Sequence, residues 1–398
     1  MRVRPLLLDP SLFTLPFDVH FARALAEEGA EPVLVGRPLR HYEHLDREPF
    51  AHEALFYRLS EGGNRNWRSS PAHRALKGAE HLLGYLRLAR YIRTHDIDVV
   101  HVQWLLLPLI DQLFLRRLRR HARLFLTVHN AELTAHSVES LVGPAGALLQ
   151  AAGQGGLLDL FDGFIAHTEK TLRHLERLGI PRQRMLLCPH PPLHLVGGGA
   201  DRSPARSKTP LEILFFGAIK PYKGIDLLLE AALMLAARGD EFRITIAGRP
   251  FLDLAPWRAR MEAAGLGERF RFDLDYVPDE RLDRYLRSAD LVVFPYREID
   301  GSGALALTAS YGKPIVATAI GVFAEPPVRD HVALVPADDA ESLAGTLHRL
   351  IADPAARAEL ASKSATLAER LGDWRGYARA CLEFYRQCRP DVRERQSI

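Results

Sequence analysis

The chain reads as an α/β protein built on two doubly wound parallel sheets. Short apolar runs of strand length alternate with longer helical stretches twice over, and a Gly-, Ser- and Pro-rich segment separates the two series. Size supports the same reading, because 398 residues with 47% hydrophobic and 25% charged composition suffice for two buried cores.

In the first series Leu6 to Leu8, Pro32 to Val35, Val99 to Val102, Leu124 to Val128 and Gly163 to Ala166 are short and apolar, as strands buried on both faces must be. Between them Val19 to Glu28, Ala79 to Arg93 and Lys170 to Leu178 repeat apolar residues at helical spacing, the last with Thr168 placed to cap it. Residues 197–210 combine glycine, proline and small polar residues that bury too little surface to order themselves, and they predict a linker. The second series follows directly: Glu212 to Phe216, Phe242 to Ala247, Arg269 to Asp273, Leu291 to Pro295 and Ile315 to Ala317 read as strands, with helices such as Gly224 to Ala237 between them. From Trp374 to Gln387, Tyr377, Cys381, Phe384 and Tyr385 recur at helical spacing and predict a helix with one buried face. The expected domains are therefore 1–196 and 211–372, with a helix and tail, 373–398, placed to pack back on the first.

No stretch approaches the roughly 18 to 20 apolar residues of a membrane-spanning helix, and the start of the chain lacks a cleavable signal, so a cytoplasmic protein is expected. Cys188, Cys381 and Cys388 are too scattered for a disulfide framework and form no zinc-type pair. Residues 1–200 hold 24 Lys and Arg against 20 Asp and Glu, and the remainder 28 against 29, which is no nucleic-acid signature. One basic cluster, Arg116 to Arg123, follows the apolar run Leu105 to Leu115. It suits peripheral contact with anionic lipid at the inner face of a membrane, or equally a solvated helix end.

Two loops carry the chemistry. A strand ending in Phe215-Phe216-Gly217 leads through Ala218-Ile219-Lys220-Pro221-Tyr222-Lys223-Gly224 into a helix. A glycine turn, two ammonium groups and a helix start then converge on one place, which suits a diphosphate, although a plain βα turn with solvated lysines has the same elements. The segment Phe294-Pro295-Tyr296-Arg297-Glu298-Ile299-Asp300-Gly301-Ser302-Gly303 lies past another strand and opens a helix, so Arg297, Gly301, Ser302 and Gly303 are candidates for a second set of phosphate oxygens, or for a simple helix cap. In the first half His129 stands at a strand end, where a neutral imidazole offers both a donor and an acceptor to a sugar. Asn130 and Glu132 share its loop, Glu132 as a candidate base. Trp104, after His101 and Gln103, offers an aromatic face to an acceptor or else belongs to the core. Asp96-Ile97-Asp98, Asp273-Leu274-Asp275 and His190-Pro191-Pro192-Leu193-His194 look metal-like, yet the acidic pairs are not joined to the phosphate loops and the prolines forbid the helix that would align the two rings; no metal is expected.

Taken together these segments resemble glycosyltransferase family 4 over nearly the whole chain. Gly217 to Gly224 is similar to that family's donor-phosphate loop, Ile246-Ala247-Gly248 to its next strand end, Ser288 to Pro295 to its signature strand, and Gly312 to Thr318 to the segment beyond. Thr127-Val128-His129-Asn130 matches the strand end where the family places a histidine beside the transferred sugar. The resemblance implies a GT-B fold, two Rossmann-like domains facing each other across a cleft. It also implies a metal-independent, retaining transfer of a sugar from a nucleoside-diphosphate sugar to a hydroxyl of a glycan, lipid-linked saccharide or small molecule. His129 and Glu298 would be catalytic, and Gly217, Lys220 and Lys223 would join the second loop in holding the donor. Two departures stand out: Ala218 replaces the usual arginine, with Lys220 two residues on, and Ala306 or Leu307 occupies the place of the family's second glutamate. A sugar-nucleotide epimerase of the same architecture and a non-catalytic sugar-nucleotide-binding subunit are the alternatives. A nicotinamide dehydrogenase is disfavoured, since no GxGxxG follows the first strand.

Overall fold

The apolar runs form parallel strands and the periodic stretches form helices in a computed structural model that describes residues 3–41, 43–61, 71–129, 156–193, 195 and 210–388. The chain divides into two units, the first made of Met1–Pro189 with Trp374–Ile398 and the second of His190–Asp373. Of the expected linker, only Pro210 lies among the described residues.

In the first unit the elements are β1 (Pro5–Leu8), α1 (Leu15–Glu27), β2 (Val33–Gly36), β3 (Ala51–Ala54), α2 (Pro71–Thr94), β4 (Val99–Val102), α3 (Pro108–Leu118), β5 (Arg123–Val128), β6 (Gly163–Ala166), α4 (Glu169–Arg177) and β7 (Met185–Leu187). Its seven strands are all parallel, in the order β3-β2-β1-β4-β5-β6-β7. Every residue of β1, β2, β4 and β6 is buried, which is why these strands read as near-continuous apolar runs, broken only by His101 in β4, and not as alternating ones. Thr168 caps α4 by accepting from the Thr171 N–H at 3.2 Å.

The second unit runs β8 (Leu211–Phe216), α5 (Ile225–Ala237), β9 (Phe242–Ala247), α6 (Ala255–Ala263), β10 (Phe270–Asp273), α7 (Asp279–Ser288), β11 (Leu291–Phe294), α8 (Gly303–Ser310), β12 (Ile315–Thr318), β13 (Ala333–Val335), α9 (Ala340–Ala352) and α10 (Pro354–Arg370). Its strand order is β10-β9-β8-β11-β12-β13, again all parallel. In each sheet the order reverses once, between β1 and β4 and between β8 and β11. A crevice forms beyond the carboxyl ends of the two strands at such a reversal, so the topology alone marks where a ligand has room.

After α10 the chain returns to the first unit as α11 (Trp374–Gln387), whose main packing partner is α1. Tyr377, Cys381, Phe384 and Tyr385 are buried, and Phe17 meets Trp374 and Tyr377 edge-on with ring centroids 5.1 and 5.7 Å apart. Tyr385 carries a polar anchor into this contact: its hydroxyl lies 2.6 Å from His101 Nδ1, and His101 Nε2 lies 2.7 Å from Thr127 Oγ1. Burial pushes the His101 pKa down to about 3, so the ring is neutral and both nitrogens are satisfied. His101 is thus a core residue and does not line an acceptor site.

Candidate functional site

The carboxyl end of β8 turns at Gly217, where φ is +96°, and a Cβ there would lie 2.9 Å from Lys223 Nζ. Gly224 closes the loop at φ +63° and opens α5; its missing Cβ would sit 1.9 Å from the carbonyl oxygen of Pro295, just past β11. Two other glycines make the same kind of approach: a Cβ on Gly248 would meet the Gly217 carbonyl oxygen at 2.1 Å, and one on Gly321 would meet that of Ile299 at 1.7 Å. The loops after β8, β9, β11 and β12 are therefore in backbone contact around the β8/β11 reversal. Arg297 N–H donates to the Tyr222 carbonyl at 2.7 Å, and Thr318 Oγ1 donates to that of Tyr296 at 2.6 Å.

Lys223 is only 8% exposed, packs over the Tyr296 ring at 5.0 Å, and has no carboxylate partner among the described residues. Burial lowers its pKa from the usual ammonium range. Lys220 is half-buried and lies 5.8 Å from the Phe251 ring centroid; its pKa is also lowered, first by burial and then by the Lys223 charge. Two like charges drawn from water and left without a counter-charge are costly, and an anion in the loop removes that cost. The Tyr296 hydroxyl, buried and without a partner among the described residues, lies in the same region.

The second loop contributes a helix start. Ser302 caps α8 by accepting from the Leu305 N–H at 3.1 Å, while the N–H groups of Gly303 and Ala304 have no acceptor among the described residues. Arg297 is held by carboxylates of its own unit. Its guanidinium makes a two-pronged pair with Asp226 at 2.6 and 2.8 Å and reaches Asp338 at 2.6 Å. It ties the loops after β8, β11 and β13 together, which makes it a positioning residue. Glu298 is exposed, and its charge helps to raise the pKa of the largely buried Tyr222, behind the main effect of burial. Both residues at the place of the second glutamate, Ala306 and Leu307, are buried in the apolar core of this unit.

Of the metal-like groups, Asp273 is held by Arg281 at 3.0 Å and by the Tyr285 hydroxyl at 2.8 Å. The His190 ring lies 2.7 Å from its neighbouring Pro191 carbonyl, and His194 is outside the described residues.

At the carboxyl edge of the first sheet His129 Nε2 lies 3.0 Å from Gln103 Oε1; the ring stacks on Trp104 at 5.0 Å and meets Phe17 edge-on at 5.0 Å. Trp104 donates its indole N–H to Thr14 Oγ1 at 3.1 Å and keeps part of its surface exposed. Asn130 and Glu132 lie outside the described residues.

Beside this cluster stands a carboxyl pair that sequence reasoning missed. Asp9 and Asp18 are both fully buried, share Thr14 Oγ1 at 3.4 Å, and each keeps one oxygen unpartnered among the described residues. Burial raises both, and the neighbouring Asp9 charge adds to the rise at Asp18, which stands well above the ordinary carboxyl range. A carboxyl with a raised folded-state pKa contributes stability below its unfolded value, about pH 4, and loses it as pH rises through the folded value. Asp18→Asn is therefore expected to raise the melting temperature at pH 8 and to change it little at pH 4. Equal shifts at the two pH values would show that ionisation of the pair is not the cause.

Two units, each a parallel sheet wound from a single reversal point, define the GT-B fold class. Residues 19–191 match the family described as Glycosyltransferase Family 4 and residues 210–353 the one described as Glycosyl transferases group 1. The chain belongs to glycosyltransferase family 4. A D-inositol 3-phosphate glycosyltransferase from a Nocardioides species is 31% identical over 265 residues, covering 61% of this chain and 57% of that protein. The chain spans about half the length of the curated relatives it matches, at 57, 43 and 57% for the first three. Among solved structures a glycosyltransferase from Rickettsia africae superposes with a TM-score of 0.70 at 15% identity, covering 97% of this chain and 98% of that one. Anabaena HepE in complex with UDP gives a TM-score of 0.65 at 13% identity, covering 96% and 99%.

Proposed function

We propose that this protein transfers a sugar from a nucleoside-diphosphate sugar to an acceptor hydroxyl, without a metal and with retention at the anomeric carbon. The observation that carries the reading is the pair Lys220 and Lys223: a half-buried and a buried ammonium group without a carboxylate partner among the described residues, on a loop that glycines hold against the neighbouring strand ends. When the glycosidic C–O bond breaks, negative charge builds on the departing diphosphate. Fixed cations and the open N–H groups at the start of α8 stabilise that charge with little reorganisation. Glu298 is assigned to the donor, and His129, its ring set by Gln103 and Trp104, to the transferred sugar. Trp104 is assigned to the acceptor, together with Asn130 and Glu132. The reading is supported by the Nocardioides relative, named for sugar transfer to an inositol phosphate, and by the HepE structure, which holds UDP.

Incubation of the protein with a panel of nucleoside-diphosphate sugars, with and without glycan, polyol and lipid-linked acceptors, tests this. Nucleoside diphosphate is expected to be released only when an acceptor is present. Conversion of the donor alone would identify an epimerase instead, and binding without turnover a non-catalytic subunit.

A further inference from the structure

α2 and α3 lie side by side, and their shared contact is well marked. His81 Nε2 is 2.8 Å from Asp111 Oδ1, the Tyr85 hydroxyl donates to the same oxygen at 2.9 Å, and the Tyr85 and Phe114 rings stack at 4.9 Å. These residues define the inward sides of the two helices, so helical geometry fixes the outward sides. On α3 the outward stripe is Leu109, Leu113 and Arg116, and exposed Arg120 stands in the turn that follows. On α2 the stripe is Leu83, Leu86, Arg90 and Arg93.

Both stripes are apolar in the middle and cationic toward the C-terminal end. Leu83 and Leu86 are 47 and 57% exposed, Leu109 and Leu113 37 and 50%. Isolated exposed leucines are ordinary, but four on the outward faces of two adjoining helices form a patch that water disfavours. The only carboxylates on these helices, Glu80 and Asp111, are buried. Glu80 accepts from the Leu59 and Ser60 N–H groups, and Asp111 from those of Leu106 and Leu107. Arg90, Arg93, Arg116 and Arg120 have no ion-pair partner among the described residues. Within the basic stretch noted in the sequence, by contrast, Arg119 lies 4.0 Å from Asp162 and Arg123 donates to the Tyr385 carbonyl, so those two are committed inward. No helix among the described residues is long and apolar enough to cross a membrane.

We propose that the outward face of α2 and α3 docks on an anionic bilayer, with the leucines entering the boundary between headgroups and acyl chains and the arginines meeting lipid phosphates. Apolar residues flanked by unpaired cations, on faces free of exposed carboxylate, match that surface in both polarity and charge. A second copy of this face would bring no exposed carboxylate from these helices to meet the arginines, so charge complementarity selects lipid over self-association.

The test is flotation of the full chain with vesicles of phosphatidylcholine alone or mixed with phosphatidylglycerol, at low and high salt. The expected result is binding to the anionic vesicles that weakens with salt, and little binding to the neutral ones. Leu86→Ser with Leu113→Ser, and separately Arg116→Glu with Arg120→Glu, are each expected to reduce binding by at least about tenfold with unchanged melting curves. Absence of wild-type binding to anionic vesicles would overturn the proposal, as would leucine variants that bind like wild type. So would light scattering that shows a dimer which the leucine variant splits into monomers. The wild-type salt dependence and the arginine variant keep the test decisive if the leucine variant folds poorly.

Discussion

Replacing Lys223 by methionine is expected to cut sugar transfer by about a hundredfold while leaving the fold as stable as before, or more so. The two halves of this expectation have one cause. The ammonium is buried without a carboxylate partner among the described residues, so in the free protein it costs desolvation energy that the Tyr296 ring 5.0 Å away offsets only in part. Its pKa is lowered, which means that the folded chain holds this proton less firmly than the unfolded chain does. Wild-type stability should therefore gain with pH on approaching the lysine range, and the methionine variant should lose that gain. Measuring kcat/KM beside calorimetric melting separates the cases. Activity and stability falling together would make Lys223 a structural residue, and near-normal activity would remove its phosphate role. The more exposed Lys220 should show the same signs with smaller amplitude.

Gly224→Ala is expected to destabilise the second unit strongly. The left-handed conformation costs an alanine about 1–2 kcal/mol. The new methyl would also stand 1.9 Å from the Pro295 carbonyl oxygen, a backbone atom that no rotamer change can move. A total of at least about 3 kcal/mol follows, a drop of roughly 6–12 °C in the melting temperature of a unit this size. Because the clash separates the loops after β8 and β11, nucleoside diphosphate binding should fall with it. Gly239, at the other end of α5, is the control: its φ is +81°, yet a Cβ there meets nothing within 4 Å, so Gly239→Ala should cost only about 1–2 kcal/mol. Equal losses in the two variants would show that the contact with Pro295 is unimportant.

How much of this was legible in the sequence follows from what each residue has to do. Interior strands such as β1 and β11 carry their burial as unbroken apolar runs, β4 and β8 as runs broken only by His101 and Glu212, and their number and order of appearance predict two doubly wound sheets. Three of the four edge strands escaped, β10 being the exception. β3 is Ala-His-Glu-Ala with partly exposed residues, and β7 and β13 are three residues long, so neither pattern nor length distinguishes them from loop. The loop proposed to hold phosphate was visible because its glycines and lysines are local in the chain. The pairing of Arg297 was hidden for the opposite reason: its partners Asp226 and Asp338 are 71 and 41 residues away. Asp9 and Asp18 left a faint signal, an acid after a strand and another in the first turn of the next helix, but that no cation among the described residues pairs with them is a fact of three dimensions.

The return of α11 to the first unit has a consequence for biosynthesis. A ribosome delivers the first sheet long before it delivers Trp374–Gln387, and throughout that interval Phe17, Phe21 and His101 face an empty groove. The amino-terminal half thus cannot complete its interior as it emerges. It has to wait, with greasy residues bare, while some 180 intervening residues are made, which is the interval in which chaperone capture or aggregation would compete with maturation.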